Sequence, residues 1–219
     1  MTLTKAMVTP IVCNPNVGQN FIVQYGPVTI FKLNKPIGGP VGTTISLFFP
    51  KLEPGVKSRL TETIFEVDVP PGGTTDILVG VNWLVAPTTR GSINITGSQG
   101  RPEIVYNFFS DPQEVTWAYD LVTYLQKTLA PIATMISPTP AQMASIDSFI
   151  SYLTTPSGLT ISEHLVGTCS LGKVVDPCLR VYGVANLYVV DLSVVPLEPD
   201  ANTEEMALMV GQLFADLYC

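Results

Sequence analysis

The chain carries one histidine in 219 residues, His164, and four cysteines at positions 13, 169, 178 and 219. No two of those cysteines have CxxC spacing, and four thiols are too few to staple a chain of this size, so reduced thiols are expected. A single imidazole without a Cys/His cluster excludes a structural zinc site built from this chain alone. Charge is scarce too: Asp, Glu, Lys and Arg make up 13% of the residues, against the roughly 25% of an ordinary soluble domain. There is no basic run, and 11 Lys plus Arg against 18 Asp plus Glu leave a net charge of −7. Nothing is therefore available to neutralise a phosphate backbone, which argues against nucleic acid as a partner. No apolar stretch reaches the roughly 18 residues of a membrane span. The N-terminal MTLTKAMVTPIVCNPNVGQN lacks the apolar core of a secretory signal, and the default expectation is an unprocessed cytoplasmic protein off the membrane.

What the chain does have is apolar material: 46% of it is hydrophobic, enough to bury a substantial core in one or two domains. With so little charge, part of the surface is expected to face another polypeptide.

The runs VTIFKL (28–33), TTISLFF (43–49), TIFEVDV (63–69) and DILVGVNWLVA (76–86) are β-branched and aromatic, bounded by Pro and Gly, and predict strands. RGSINIT (90–96) predicts a further short one, and NKPIGGP (34–40), PPGGTT (70–75) and GSQGRP (97–102) predict turns. With no helical crossover between these strands, an antiparallel sheet is expected. In SDPQEVTWAYDLVTYLQKTL (110–129), Ser110 or Asp111 can cap, Pro112 suits the first helical position, and Val115, Tyr119, Val122, Leu125 and Leu129 form one stripe. AQMASIDSFISYL (141–153) predicts a second helix. LYVV (187–190) is apolar without alternation and predicts a strand buried on both faces. NTEEMALMVGQLFADLYC (202–219) predicts a terminal helix capped by Asn202 or Thr203, with Glu204 and Glu205 in its first turn.

Two residues could carry chemistry. An imidazole with an ordinary pKa of about 6.5 is the side chain best poised to take a proton near neutrality, and a carboxamide at a helix start can donate to an oxygen. His164 and Asn202 could thus bind a hydroxyl, His164 accepting its proton as the carbon gives up hydride. On residue type alone, a lone histidine is first a satisfied structural group, and an asparagine before TEE is first an N-cap. Ser162 beside His164 suggests a hydrolase triad, but the chain has no G-x-S-x-G elbow.

The stretch HLVGTCSLGKVVDPCLRVYGVANLYVVDLSVVPLEPDANTEEMALMVGQLFADL resembles the C-terminal signature of the glucose–methanol–choline (GMC) flavin oxidoreductases. That pattern runs H-x-x-G-T, then V-D-P-x-L-R-V-x-G-V-x-N-L-x-V-V-D-x-S, then Pro, then His or Asn shortly before the last helix. Upstream, NPNVGQN (14–20) resembles the family's N-V-G-x-N, and TTRGSINIT followed by PEIVYNFFSDPQEV resembles its R-G-x-V-x-L and P-x-I segment. The resemblance implies that His164 is the base that accepts the substrate hydroxyl proton and that Asn202 is the second active-site position. It further implies that Asp191 lies near the FAD ribityl and pyrophosphate, and that the backbone at Leu192 and Thr203 approaches the cofactor. Implied fold and partners follow: an antiparallel-sheet substrate-binding domain with flanking helices, of α+β type, plus the strand–helix end of a Rossmann-like FAD-binding domain. The expected divisions are a connecting segment at 1–24, the substrate domain at 25–160 and the FAD-domain remainder at 161–219, with a small-molecule alcohol as substrate.

The chain departs from the family pattern in three places. The dinucleotide fingerprint G-x-G-x-x-G is not in it, so an N-terminal half, covalent or separate, is expected to supply the cradle for the ADP part of FAD. N-V-G-x-N continues in relatives to Asp-His, but here Asn20 is followed by Phe21-Ile22-Val23-Gln24. Leu192 stands where relatives often have Gly or Ala. Two readings follow: an FAD-dependent alcohol oxidoreductase completed by that other half and inactive as an isolated chain, or a non-catalytic GMC-derived structural or assembly protein.

Overall fold

Strands form where the β-branched and aromatic runs predict them, and burial alternates along the run at 76–84. The computed structural model describes residues 9–38, 43–49, 61–67, 72–96, 101–199 and 203–218, with only the backbone described for 43–49 and for 61–62. The elements in chain order are β1 (Ile22–Ile37), β2 (Thr43–Phe49), β3 (Thr61–Val67), β4 (Thr75–Leu84), β5 (Ser92–Asn94), β6 (Glu103–Val105), α1 (Pro112–Leu129), β7 (Ala133–Ser137), α2 (Ile146–Leu153), β8 (Leu159–Val166), a 3-10 turn (Leu192–Val194) and α3 (Glu204–Tyr218). They divide into two units, one comprising Gln24–Val85 and Phe109–Ser162, the other Met1–Val23, Ala86–Phe108 and Glu163–Cys219.

The first unit is a sheet covered by helices. Its strand order is β2-β3-β4-β1-β7, with β8 also paired to the long β1; the β1–β4, β1–β7, β2–β3 and β3–β4 ladders are all antiparallel, as expected. Along β4, Leu78, Gly80, Asn82 and Leu84 are buried while Ile77, Val79, Val81 and Trp83 are half-buried, the period-2 signature of a sheet with one covered face. Register brings Phe31 opposite both Leu78 and Met135. Those side chains join Phe65 and the stripe of α1 (Val115, Ala118, Leu121, Val122, Leu125), together with Phe149, Tyr152 and Leu153 of α2, in one core.

Helix α1 starts where Asp111 accepts a hydrogen bond from the Gln113 N–H at 2.9 Å. Its first turn also places the fully buried Glu114 carboxylate where the helix dipole favours an anion. There Tyr25 donates its hydroxyl hydrogen to Glu114 and accepts from the Phe109 N–H at 3.1 Å, tying β1 to the helix start. A second buried polar group, Asn82, is satisfied on both sides: Nδ2 donates to Pro27 O at 2.7 Å, and Oδ1 accepts from the Thr63 hydroxyl at 2.8 Å.

The second unit has little regular structure. Besides the β5–β6 pair it has the 3-10 turn and α3, which contribute to a cluster of Ile22, Val166, Val174, Val175, Leu179, Val194, Val195 and Val210.

Three sequence expectations are corrected. The predicted buried strand at 187–190 makes only a bridge from Tyr188 to Arg180, leaving Leu187 47% and Val190 37% exposed. The Tyr188 ring packs instead against Phe214 and Tyr218 at 5.4 and 4.8 Å, so α3 takes up the aromatic that a strand ladder would have used. Helix α2 begins at Ile146 rather than 141, because the Ser145 hydroxyl caps the Ser148 N–H at 3.1 Å while Gln142 is held in a turn by Thr139. Strand β1 runs through the predicted turn at 34–37: Asn34 N–H pairs with Ile132 O, and a register shift between Lys32 and Ile37 absorbs Pro36, which has no N–H.

Because Leu121 is fully buried in the first unit while Leu208 of α3 is 68% exposed, Leu121→Ala is expected to cost about 2–5 kcal/mol. Leu208→Ala should stay within about 0.5 kcal/mol. Urea unfolding of both variants checks the difference.

Candidate active site

Alternation along β8 decides where His164 points. Ser162 and Val166 are buried, Ile161, Glu163 and Leu165 are exposed, and His164 lies in the inward row, half-buried. Burial removes water from the imidazolium and pushes the His164 pKa below its ordinary 6.5. The group is therefore neutral at pH 7, with a lone pair able to accept a proton.

The strand exit is held by backbone pairing. After Val166 the chain turns at Gly167, whose φ of +95° is a conformation L side chains rarely adopt. Thr168 O then accepts from the Gly18 N–H at 2.9 Å, while the N–H groups of Cys169 and Leu171 donate to Ser193 O and Val194 O, each at 2.8 Å. This places the loop after His164 directly against the segment carrying Asp191 and Leu192. The Asp191 carboxylate accepts from the Ser193 N–H at 2.8 Å and so caps the 3-10 turn. Leu192 is half-buried against the cluster that contains Val166, two residues beyond His164, and Val210 of α3.

Thr203 is buried at the start of α3, and its carbonyl accepts from the Ala207 N–H at 3.0 Å. Glu204 and Glu205 follow in the first turn, as the dipole favours. Asn202 lies outside the described residues. Of the five positions singled out from sequence, His164, Asp191, Leu192 and Thr203 belong to the same unit and to segments packed around one apolar cluster. Sequence reasoning assigned no role to Asn20, Arg90 and Ser170, which meet at the β8 exit; the available signals were the asparagine that closes NPNVGQN and the arginine of TTRGSINIT. Cys169 is half-buried beside the cluster and, like Cys13 and Cys178, is a free thiol. Among the described residues no three His, Cys, Asp or Glu side chains gather as metal ligands, and no helix is long and apolar enough to cross a membrane.

The family model described as GMC oxidoreductase matches residues 87–211, more than half of the chain. The chain belongs to the GMC oxidoreductase family. Among its relatives, a sinalpyl alcohol oxidase from Nesocodon mauritianus is 26% identical over 193 residues, which are 81% of this chain and 31% of the oxidase. A protein of Acanthamoeba polyphaga mimivirus named as a truncated GMC-type inactive oxidoreductase is 56% identical over 49 residues, 22% of this chain and 60% of the viral one. In fold the chain is similar to formate oxidase from Aspergillus oryzae, with a TM-score of 0.80 at 19% identity, over 98% of this chain and 49% of that one. This GMC chain thus spans about half the length of the solved neighbour and less than a third of the sinalpyl alcohol oxidase.

A direct measurement bears on the imidazole. NMR titration of the single histidine should return a pKa below 6.5; a value at or above it would mean that His164 is solvated or ion-paired. The sign for stability follows. The unfolded chain binds this proton more tightly than the folded one, so the histidine's contribution is present above about pH 6.5 and is lost as pH falls through the folded pKa.

Proposed function

We propose that this chain is the C-terminal part of a GMC-type, FAD-dependent oxidoreductase that converts a small-molecule alcohol to the carbonyl compound. The observation that carries the reading is a half-buried imidazole on the inward row of β8, at the only histidine of the chain and at the H-x-x-G-T position. His164 would accept the hydroxyl proton and Asn202 would hold the hydroxyl oxygen. FAD, when bound, supplies the hydride acceptor. The first turn of α3, at Thr203, would offer a positive dipole end to the flavin edge, and the backbone at Asp191 and Leu192 would lie along the cofactor. Residues 25–160 would form the substrate-binding domain, 161–219 the end of the FAD-binding domain, and 1–24 the connection between them.

These residues fit the flavin end of FAD and not its ADP end, since the chain has no G-x-G-x-x-G loop. We place that cradle in an FAD-binding half like the remainder of the solved neighbours, attached or separate. The open side of α3 supports this: Leu208, Met209, Leu213 and Leu217 are 68%, 57%, 43% and 44% exposed on one 15-residue helix.

A non-catalytic, structural role is the second reading. It is favoured by Phe21-Ile22-Val23-Gln24 in place of Asp-His after Asn20, and by the 56% identity to a viral protein named as inactive.

The protein purified with its natural partners should show a flavin spectrum that bleaches on adding alcohol. His164→Ala should retain the flavin and lower the reduction rate by about 10²–10⁴-fold. A colourless complex under every co-expression condition would leave the structural role alone.

A further inference from the structure

The exit of the His164 strand has a side chain at its centre that no chemistry so far has used. Asn20 lies in the left-handed region at φ +59°, a conformation that asparagine tolerates and most residues do not. Its carboxamide reaches three chain segments at once. Nδ2 donates to the Ser170 hydroxyl at 3.0 Å and to Pro196 O at 3.1 Å. Oδ1 accepts from the Arg90 Nε–H at 3.0 Å.

Each partner is itself fixed. Ser170 donates its hydroxyl hydrogen to Gly167 O, closing the turn that follows β8. Arg90 donates to Pro87 O at 2.7 Å and to Thr89 O at 2.9 Å, and its carbonyl accepts from Asn107 Nδ2 at 2.9 Å. Gly167 lies against the same asparagine: a Cβ built there would meet Asn20 O at 2.2 Å and Nδ2 at 2.8 Å. The glycine of H-x-x-G-T is thus required by contact with Asn20 as well as by its own positive φ.

We infer that Asn20 is the positioning residue of this site, its carboxamide locking the turn after His164 to the Leu192–Pro196 segment and to Arg90. Side chains of Asn suit the task because one planar group offers two donors and an acceptor, and here all three are used on elements distant in sequence. Removing it leaves Ser170 and Pro196 O without that donor and Arg90 Nε without that acceptor, so the turn can shift relative to the 3-10 turn. Calling the location a site rests on the proposed role of His164; the contacts of Asn20 do not.

The test uses the full chain without flavin and exploits its single histidine. Asn20→Gly keeps the backbone conformation at little steric cost and removes only the carboxamide. The imidazole Cε1–H signal should move, its pKa should rise toward the ordinary value of about 6.5, and amides of 167–171 and 192–195 should lose hydrogen-exchange protection roughly five- to tenfold. Protection in α1 should hold, and Asn14→Ala, which removes a 3.0 Å link to Lys173 O in the same unit, should leave the imidazole signal in place. Should Asn20→Gly fail to fold, Asn20→Asp keeps the acceptor for Arg90, loses both donors and should show the same local loss of protection. An unmoved imidazole, or a loss of protection equal in α1, overturns the proposal. Neither outcome touches the flavin reading, and a flavin-free protein would leave this result standing.

Discussion

The structure around His164 depends on one constraint: a strand that ends inside a protein must hand its backbone groups to new partners within a few residues. β8 does so at Gly167–Leu171, pairing with Gly18 on one side and with Ser193 and Val194 on the other. That requirement draws Gly18 to two pieces of chain that lie more than a hundred residues further on. The apolar cluster with Val166, Val194, Val195 and Val210 holds the end of β8 and the segment it pairs with. The His164 pKa is lowered by the partial burial of the imidazole itself.

Legibility followed the range of the interactions. Helix α1 was readable because its signals are local: a cap at Asp111, Pro112 after it, and a stripe that becomes one side of the core. α3 was readable from its helical spacing and from Glu204 and Glu205 in its first turn. The strand expected at 187–190 was not, because LYVV looks alike whether a ladder or an aromatic cluster receives it, and here Tyr188 goes to Phe214 and Tyr218. β7 and β8 are not among the predicted strands, although ATMIS and LTISEHLV alternate and are flanked by Pro131, Pro138, Gly158 and Gly167. In the site, His164 could be singled out by rarity and motif. Asn20 closes the N-V-G-x-N segment, but nothing local says that its carboxamide will bridge residues 90, 170 and 196.

The two units differ in how they are stabilised, and the difference bears on function. The sheet unit has a helix-covered core of large side chains, as a self-sufficient domain needs. The unit carrying His164 is built from loops and one helix around mostly valine, with Leu187, Leu197 and one side of α3 open to solvent. The proposal of an FAD-binding half that packs on this unit rests on that open surface.

The central claim is that His164 and the start of α3 serve one ligand. A crystal structure of the flavin-loaded complex with an unreactive alcohol analogue tests it most directly. The account predicts an imidazole nitrogen of His164 and the carboxamide of Asn202 both within about 3 Å of the same hydroxyl oxygen. An analogue held by other residues, with the two side chains directed at different surroundings, would contradict it.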